Sequence, residues 1–452
     1  MRRTWILVLF LSVCLLPAAQ AQQSSGIPPV GKRRTPHHGT LKASPNSTSM
    51  ARSSLAASGS TTLETIKFYD LTTFPNGTWA QLMDVNDWGV AVGLGDTPAG
   101  FDSSLDPQRG YTRPVGVPLI GLRALKWFDL GTFGGESFQN SYQTADTACS
   151  AITNTGMIVG LAPTTDDPVT RITKYVRAFA WTHQSGLIDL GALEYLGYYY
   201  SNVIGANRLG TVIVGWSGGS DAFSVPALPV AWTPDLRYNN GSLVQHWNIH
   251  QLETTGYEQF PYWVADTANN FRQVVGFAFD DNGKQLGFVW NPLPGGGWKI
   301  LQLPVPRKYR DFTNTAVGGI NEKGEIVGNI FTADYSEGLA VLWQPLDPYR
   351  LLYKMTVMGT PPGIPDNSSY PASINDLGDI VGTSYDAEGN PLPAYWSTKE
   401  PGAGELLDFD GNFGVANKVN NLRTVVGGYW SDTCANGCAA AMQFRVAYSK
   451  TQ

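Results

Sequence analysis

Histidine, cysteine and charge are all scarce in this chain. Five histidines and four cysteines in 452 residues leave little material for a metal site, which takes about four ligands. No apolar run approaches the roughly 20 residues needed to span a bilayer, so no transmembrane segment is expected. Long helical periodicity is missing as well, which argues against a helical domain. No Gly-x-Ser-x-Gly elbow with ordered Ser, His and Asp occurs, nor a phosphate-cradling glycine loop followed by Lys-Ser or Lys-Thr. What the chain does have is 50 glycines and 12% aromatic residues against 15% charged ones, a balance that fits an all-β domain.

The first 21 residues read as an export signal: Arg2 and Arg3, an apolar run from Ile6 to Leu16, and the small-x-small site Ala19-Gln-Ala21. Residues 22–60 are rich in Ser, Pro, Gly, Thr and Ala. They carry Lys32, Arg33, Arg34, Lys42 and Arg52 without one acidic residue. With almost no large apolar side chains to offset ordering entropy, this segment reads as a flexible, solvated tether. A basic tail is also able to touch anionic lipid, glycan or nucleic acid. From Thr61 onward 24 Lys and Arg face 37 Asp and Glu, a net charge of −13, which argues against nucleic-acid binding by the body. Cys434 and Cys438 flank the tripeptide Ala-Asn-Gly, which reads as a turn, and export permits their oxidation to a local disulfide. Cys149 shares a column with Leu82, Val203, Ala265, Val317, Pro371 and Ala416, and so reads as a small buried hydrophobe.

One phrase recurs through the body. Its copies are Val85–Gly93, Ile152–Gly160, Ala206–Gly215, Ala268–Gly276, Ile320–Gly328, Ile374–Gly382 and Val419–Gly427. Each is an Asn or Asp turn followed by a β-branched pair and glycine, as in Ile374-Asn-Asp-Leu-Gly-Asp-Ile-Val-Gly382. The Asn caps its own turn, glycine supplies a positive φ, and the β-branched pair suits a half-buried strand. A third segment ends on Trp181, Trp232, Trp290, Trp343 or Trp396, with Leu125-Lys-Trp127 in the first repeat and Phe444 in the Trp place of the seventh. A fourth carries Asp-Leu or a relative and is vague only in the fifth repeat. Four antiparallel strands in each of seven units predict a seven-bladed β-propeller over residues 61–452. Ile66–Leu71 is an unpaired fourth segment, so the N-terminal strand is expected to complete the last blade and close the ring, with Val446–Lys450 as its competitor for that edge.

These residues resemble the HAF family of extracellular repeat proteins, whose repeat runs Ala-x-x-Ile-Asn-Asp-x-Gly-x-Ile-Val-Gly, then His-Ala-Phe-x-Trp, then Asp-Leu-Gly-Thr-Leu-Gly-Gly. The matches are Ala372–Gly382, Arg177–Trp181 and Asp129–Gly135, while the His before Ala-Phe is absent throughout. The resemblance implies a secreted propeller-like scaffold and carries over no catalytic residues.

Chemistry is harder to find. His246 and His250 read as opposite faces of a strand, so no joint metal site is expected. Asp280–Gly283 and Asp410–Asn412 read as turns rather than calcium loops, and Asp87 and Asp376 as turn caps. The candidate site is a column six residues before each turn: Trp79, Asp146, Tyr200, Tyr262, Asn314, Ser368 and Phe413, with Tyr198, Tyr199, Trp263 and Tyr370 nearby. On a propeller this column rims one mouth of the central channel, where aromatic faces with Asp and Asn suit sugars or peptide side chains. Packing between blades is the commoner role for such aromatics. Three readings follow: an exported, monomeric, non-catalytic binding scaffold for glycan or protein, without cofactor; a propeller-fold hydrolase or lyase acting on extracellular polysaccharide; and a cell-surface structural or adhesion module.

Overall fold

The computed structural model describes residues 61–73, 79–97, 111–120, 123–124, 128–131, 133, 139–140, 143–144, 148–164, 176–219, 226–239, 242–431 and 434–448. The expected signal, the basic tether and Asp146 lie outside them. The described chain is all-β, with short 3-10 turns at Glu194–Leu196 and Arg307–Tyr309. No helix among the described residues is long and apolar enough to cross a membrane.

Every copy of the phrase is the turn of an antiparallel hairpin. In the fifth repeat Phe312–Ile320 pairs with Ile326–Thr332, then Gly338–Pro345, then Tyr353–Val357. That last strand is the fourth segment the sequence left vague, because Tyr353-Lys-Met-Thr-Val carries no Asp-Leu. In the third repeat Tyr200–Ala206, Ile213–Gly218, Ala227–Asn239 and Ser242–Gln251 follow the same order. The turns are built as expected. Asn375 Oδ1 accepts from the Leu377 and Asp379 N–H groups at 3.0 and 2.8 Å, and Gly378 takes φ 89°. Arg272 and Arg423 occupy the same left-handed position at φ 63° and 60°. Arg423 is held there by buried Asp379, 2.9 Å away.

Register explains the recurrent tryptophan. Trp181, Trp232, Trp290, Trp343 and Trp396 each lie opposite the first β-branched residue after the turn, as Trp343 does opposite Ile326. The last four are fully buried between their own sheet and the preceding one. Trp290, Trp343 and Trp396 donate from Nε1 to carbonyls of the linker before their sheet: Glu253, Pro304 and Gly359, at 2.6–2.9 Å. Burying about 200 Å² per indole at about 25 cal/mol per Å² makes each of these contacts worth about 5 kcal/mol of transfer free energy, an upper figure.

Two assignments change. In the first repeat the strand paired with Val90–Thr97 is Tyr111–Ile120, not Leu125–Trp127, and Phe128–Asp129 follows it as the fourth. Residues 125–127 lie outside the described residues, and Val117 holds the Trp place opposite Ala91. In the seventh repeat Met442, not Phe444, lies opposite Val425. Phe444 sits two residues further along, at the level of the turn, where its N–H donates to Arg423 O.

Thr61–Thr72 pairs antiparallel with Cys434–Tyr448, from Thr61 opposite Tyr448 to Thr72 opposite Ala439. Val446–Tyr448 therefore prolong that strand and do not compete with the N-terminal one. Tyr69, Leu71 and Ala441 share a buried cluster with Ala80, Leu82 and Val85 of the first repeat. Cys434 and Cys438 form a disulfide at a Cα separation of 5.9 Å.

Candidate functional site

The seven first strands share a device that the phrase does not announce. In each, the residue opposite the phrase-ending glycine is followed by a β-bulge. Val317 lies opposite Gly328 and Gly319 opposite Val327, so Gly318 is the extra residue. The bulged residues are Met83, Ser150, Ile204, Asp266, Gly318, Ala372 and Asn417. A bulge re-aims one side chain out of the pleat, and all seven line one cavity of about 80 Å³. Leu94, Cys149, Leu161, Asn202 and Lys418 complete much of its wall.

The bulge also accounts for the glycine. A Cβ on Gly328 would run into the backbone carbonyl of Ala316, and Gly93, Gly215, Gly276, Gly382 and Gly427 meet the equivalent carbonyl in their own sheets. Glycine is needed here for close approach of two backbones, not for an unusual φ. Cys149, opposite Gly160, is buried as expected.

Two polar side chains of the wall are tied down and a third is not. Ser150 Oγ donates to Val203 O at 2.7 Å, and Asn417 Nδ2 donates to Leu82 O at 2.7 Å. Asn202, 6% exposed, lines the cavity with an Oδ1 that accepts no hydrogen bond. An unsatisfied buried carbonyl costs about 1–3 kcal/mol, so Asn202 marks the place where a ligand donor or water gains most.

The predicted aromatic column divides. Trp79 and Tyr200 come together on Leu94 and Leu161, beside the cavity wall. Tyr262 opens its strand half-buried, and Phe413 opens its own 43% exposed. Tyr370 stacks on Phe331 at 6.3 Å and meets Tyr385 edge-on at 5.7 Å; burial pushes both phenols up, so they stay neutral hydrogen-bonding groups. Trp263 and Asn314 do not belong to the mouth. Trp263 is 1% exposed, packed on Phe288 and Trp290, and donates to Phe260 O. Strand alternation turns it away from the face that Tyr262 occupies. Asn314 is buried and spends its amide on Gln285 N–H and Thr332 O. Ser368 precedes its strand, and its carbonyl accepts from Tyr385 N–H.

The opposite end of the first strands is a network of turns. Asn86, Asn269, Asn321, Asn375 and Asn420 each donate from Nδ2 to the carbonyl at the matching place in the following turn, at 2.8–3.1 Å; for Asn420 that turn is the first, at Asn86. A second layer runs beside it. The N–H groups of Asn270, Glu322, Asp376, Asn421 and Asp87 donate to side chains of Glu322, Asp376, Asn421, Asp87 and Asn154 in turn, at 2.9–3.0 Å. Asp87 and Asp376 thus cap a neighbouring turn, where the sequence suggested their own. Burial, together with the Asp376 carboxylate, pushes the Glu322 carboxyl up against the pull of the Asn270 N–H.

No group of three or more His, Cys, Asp or Glu is placed to hold a metal among the described residues. His246 and His250 share one strand face, because residues four apart on a regular strand point the same way, but they stand about 13 Å apart. The reading of opposite faces is corrected accordingly; the distance separates them instead. Asp280 Oδ1 accepts from Asn282 and Lys284 N–H, both at 2.8 Å, as a turn cap.

No protein-family model matches this chain, and no curated protein matches it. Among solved structures it is similar to a Trypanosoma rangeli sialidase, at 12% identity and TM-score 0.41 over 86% of this chain and 60% of that one. A polysaccharide lyase matches at 10% identity and TM-score 0.45, over 82% of this chain and 90% of that one. A lectin from Burkholderia pseudomallei matches at 12% and 0.43, over 82% of this chain and 96% of that one. The chain spans about three fifths of the length of the sialidases it matches. Likeness this distant says nothing of chemistry.

Proposed function

We propose that this chain is an exported seven-bladed β-propeller of HAF-like repeats, its ring closed by Thr61–Thr72. It serves as a non-catalytic scaffold that binds a glycan or protein ligand at the axial cavity and its aromatic mouth. The observation that carries this reading is the bulge set. Seven strands with one repeated backbone device bring seven residues to a common space, Gly318 without a side chain and the other six, from Met83 to Asn417, with side chains of different chemistry. Repetition builds the frame; the unrepeated residues confer selectivity.

Size decides how a ligand sits. A cavity of about 80 Å³ holds a few waters and falls well below the roughly 300–1,000 Å³ of a site that swallows a whole small molecule. A sugar or peptide therefore rests on Trp79, Tyr200 and Tyr262 and inserts only a hydroxymethyl or side-chain end toward Asn202. Aromatic faces supply apolar area without a large entropy loss, and Asn202 Oδ1 rewards a hydroxyl or amide donor.

Glycan and peptide arrays probed with the purified protein identify the ligand. Trp79→Ala combined with Tyr262→Ala then lowers affinity at least tenfold while the far-ultraviolet circular dichroism stays unchanged. Undiminished binding by the double variant contradicts the mouth, and shortening of an arrayed glycan transfers the protein to the hydrolase or lyase class.

A further inference from the structure

The axial cavity has two chemical sides. Asn202, whose Oδ1 accepts no hydrogen bond, lines it from the third repeat, and Asp266, 6% exposed, lines it from the fourth. Both offer acceptor oxygens, so this side suits a donor. Lys418 lines the cavity from the seventh repeat, one place after the bulged Asn417. Its ammonium makes no hydrogen bond or ion pair with a described residue, so that side offers only donors. Much of the remaining wall is apolar, with Met83, Leu94, Leu161 and Ala372 among its residues. Trp79 and Tyr200 of the mouth pack on Leu94 and Leu161, which joins the aromatic faces to the cavity.

We infer that the cavity holds the acetamido group of an N-acetylated amino sugar, which rests on the mouth and cavity being the binding site. Size is the first argument. About 80 Å³ is room for a few waters, the bulk of a short substituent and not of a sugar ring. Charge is the second. Asp266 and Lys418 are the charged residues of the wall, and they are of opposite sign. A carboxylate end would meet Asp266, an ammonium end would meet Lys418, and stripping water from either ion is unfavourable. A neutral group with a donor at one place and an acceptor at another meets neither objection. The third argument is how the polar and apolar parts fall. An acetamido N–H donates to Asn202 Oδ1, its carbonyl accepts from the Lys418 ammonium, and its methyl takes the apolar wall. A primary amide, as on a peptide Gln, has a second N–H and no terminal methyl, so it brings to that wall a proton left unbonded. The pyranose ring then rests on Trp79 and Tyr200.

Titration of the full chain with the methyl glycosides of N-acetylglucosamine and N-acetylgalactosamine, followed by nuclear magnetic resonance, tests this. Methyl glucoside and methyl galactoside, with a hydroxyl in place of the acetamido group, are the comparison. One acetamido sugar or both should bind about tenfold or more tightly than the hydroxyl counterpart. Asn202→Leu removes the acceptor and Lys418→Met the donor at similar bulk, and each should weaken that binding by about tenfold. Neither side chain makes a hydrogen bond within the described residues, so a urea midpoint at the parent's value separates lost binding from lost folding. Failure of both acetamido sugars to bind overturns the inference, as does equal affinity for the hydroxyl sugars or parent-like binding by both variants. Tighter binding of methyl glucosaminide, which carries a free ammonium, or of a Gln-containing peptide also overturns it. An array ligand that lacks an acetamido group yet depends on Trp79 and Tyr262 sinks this inference and leaves the mouth standing. Acetamido binding that survives Trp79→Ala with Tyr262→Ala, but not Lys418→Met, does the reverse.

Discussion

Replacing Gly328 with alanine lowers the unfolding free energy by about 3 kcal/mol or more, although one methyl group is the only addition. The new Cβ would collide with Ala316 O and lie 2.9 Å from Val317 Cα, and both are backbone atoms in a bulged strand. No rotamer relieves a backbone collision. Either the bulge is lost or the two strands part, and either change costs ladder hydrogen bonds and moves Gly318 away from the cavity. Gly402→Ala is the control, because its Cβ meets nothing within 4 Å, and its urea midpoint should stay within about 0.5 kcal/mol of the parent. Equal midpoints for the two variants would remove the bulge from the account.

The second large effect belongs to Asn420→Ala. Asn420 is 1% exposed. Its Oδ1 accepts from Leu422 and Thr424 N–H at 3.0 and 2.8 Å, and its Nδ2 donates to Asn86 O at 2.8 Å. Truncation strands two donors and one acceptor in a buried setting, each at about 1–3 kcal/mol, so a loss of about 3 kcal/mol or more is expected. The bond to Asn86 spans 334 positions of sequence. Amide exchange should therefore accelerate over residues 80–97 of the first repeat as well as over 413–431 of the last. Acceleration confined to the last repeat would mean that the link between the two turns contributes nothing.

The hairpins were legible in the sequence because Asn-x-x-Gly followed by a β-branched pair is local chemistry, read without knowing what lies alongside. Third and fourth strands were legible where Trp or Asp-Leu marked them. They were misplaced in the seventh repeat, where Phe444 stands two residues past the paired Met442, and in the first, where the paired position is Val117 and carries no aromatic marker. The bulges were not read, since Met83, Asp266 and Gly318 share no residue type. Burial along the strand does not mark the break either, since every residue from Trp263 to Ala268 is buried, and only the pairing shows where the alternation of faces is interrupted. The same alternation already separated Trp263 from Tyr262. The turn network escaped reading for a different reason. Asp87 finds its partners in Asn154 and Asn421, and such pairings depend on how repeats sit together.

The repeat phrase gathers the first strands about one cavity only if the last repeat meets the first, so that contact is the central claim. Glu64 and Arg445 lie directly opposite each other on the N-terminal and final strands and pair at 2.7 Å. Cysteines at both positions, oxidised at low protein concentration and mapped by mass spectrometry, report on it. The account predicts an intramolecular 64–445 disulfide in nearly every molecule, since opposed strand residues lie within the Cα separation a disulfide spans. Free thiols, or only intermolecular dimers, would show that the N-terminal strand does not complete the last sheet.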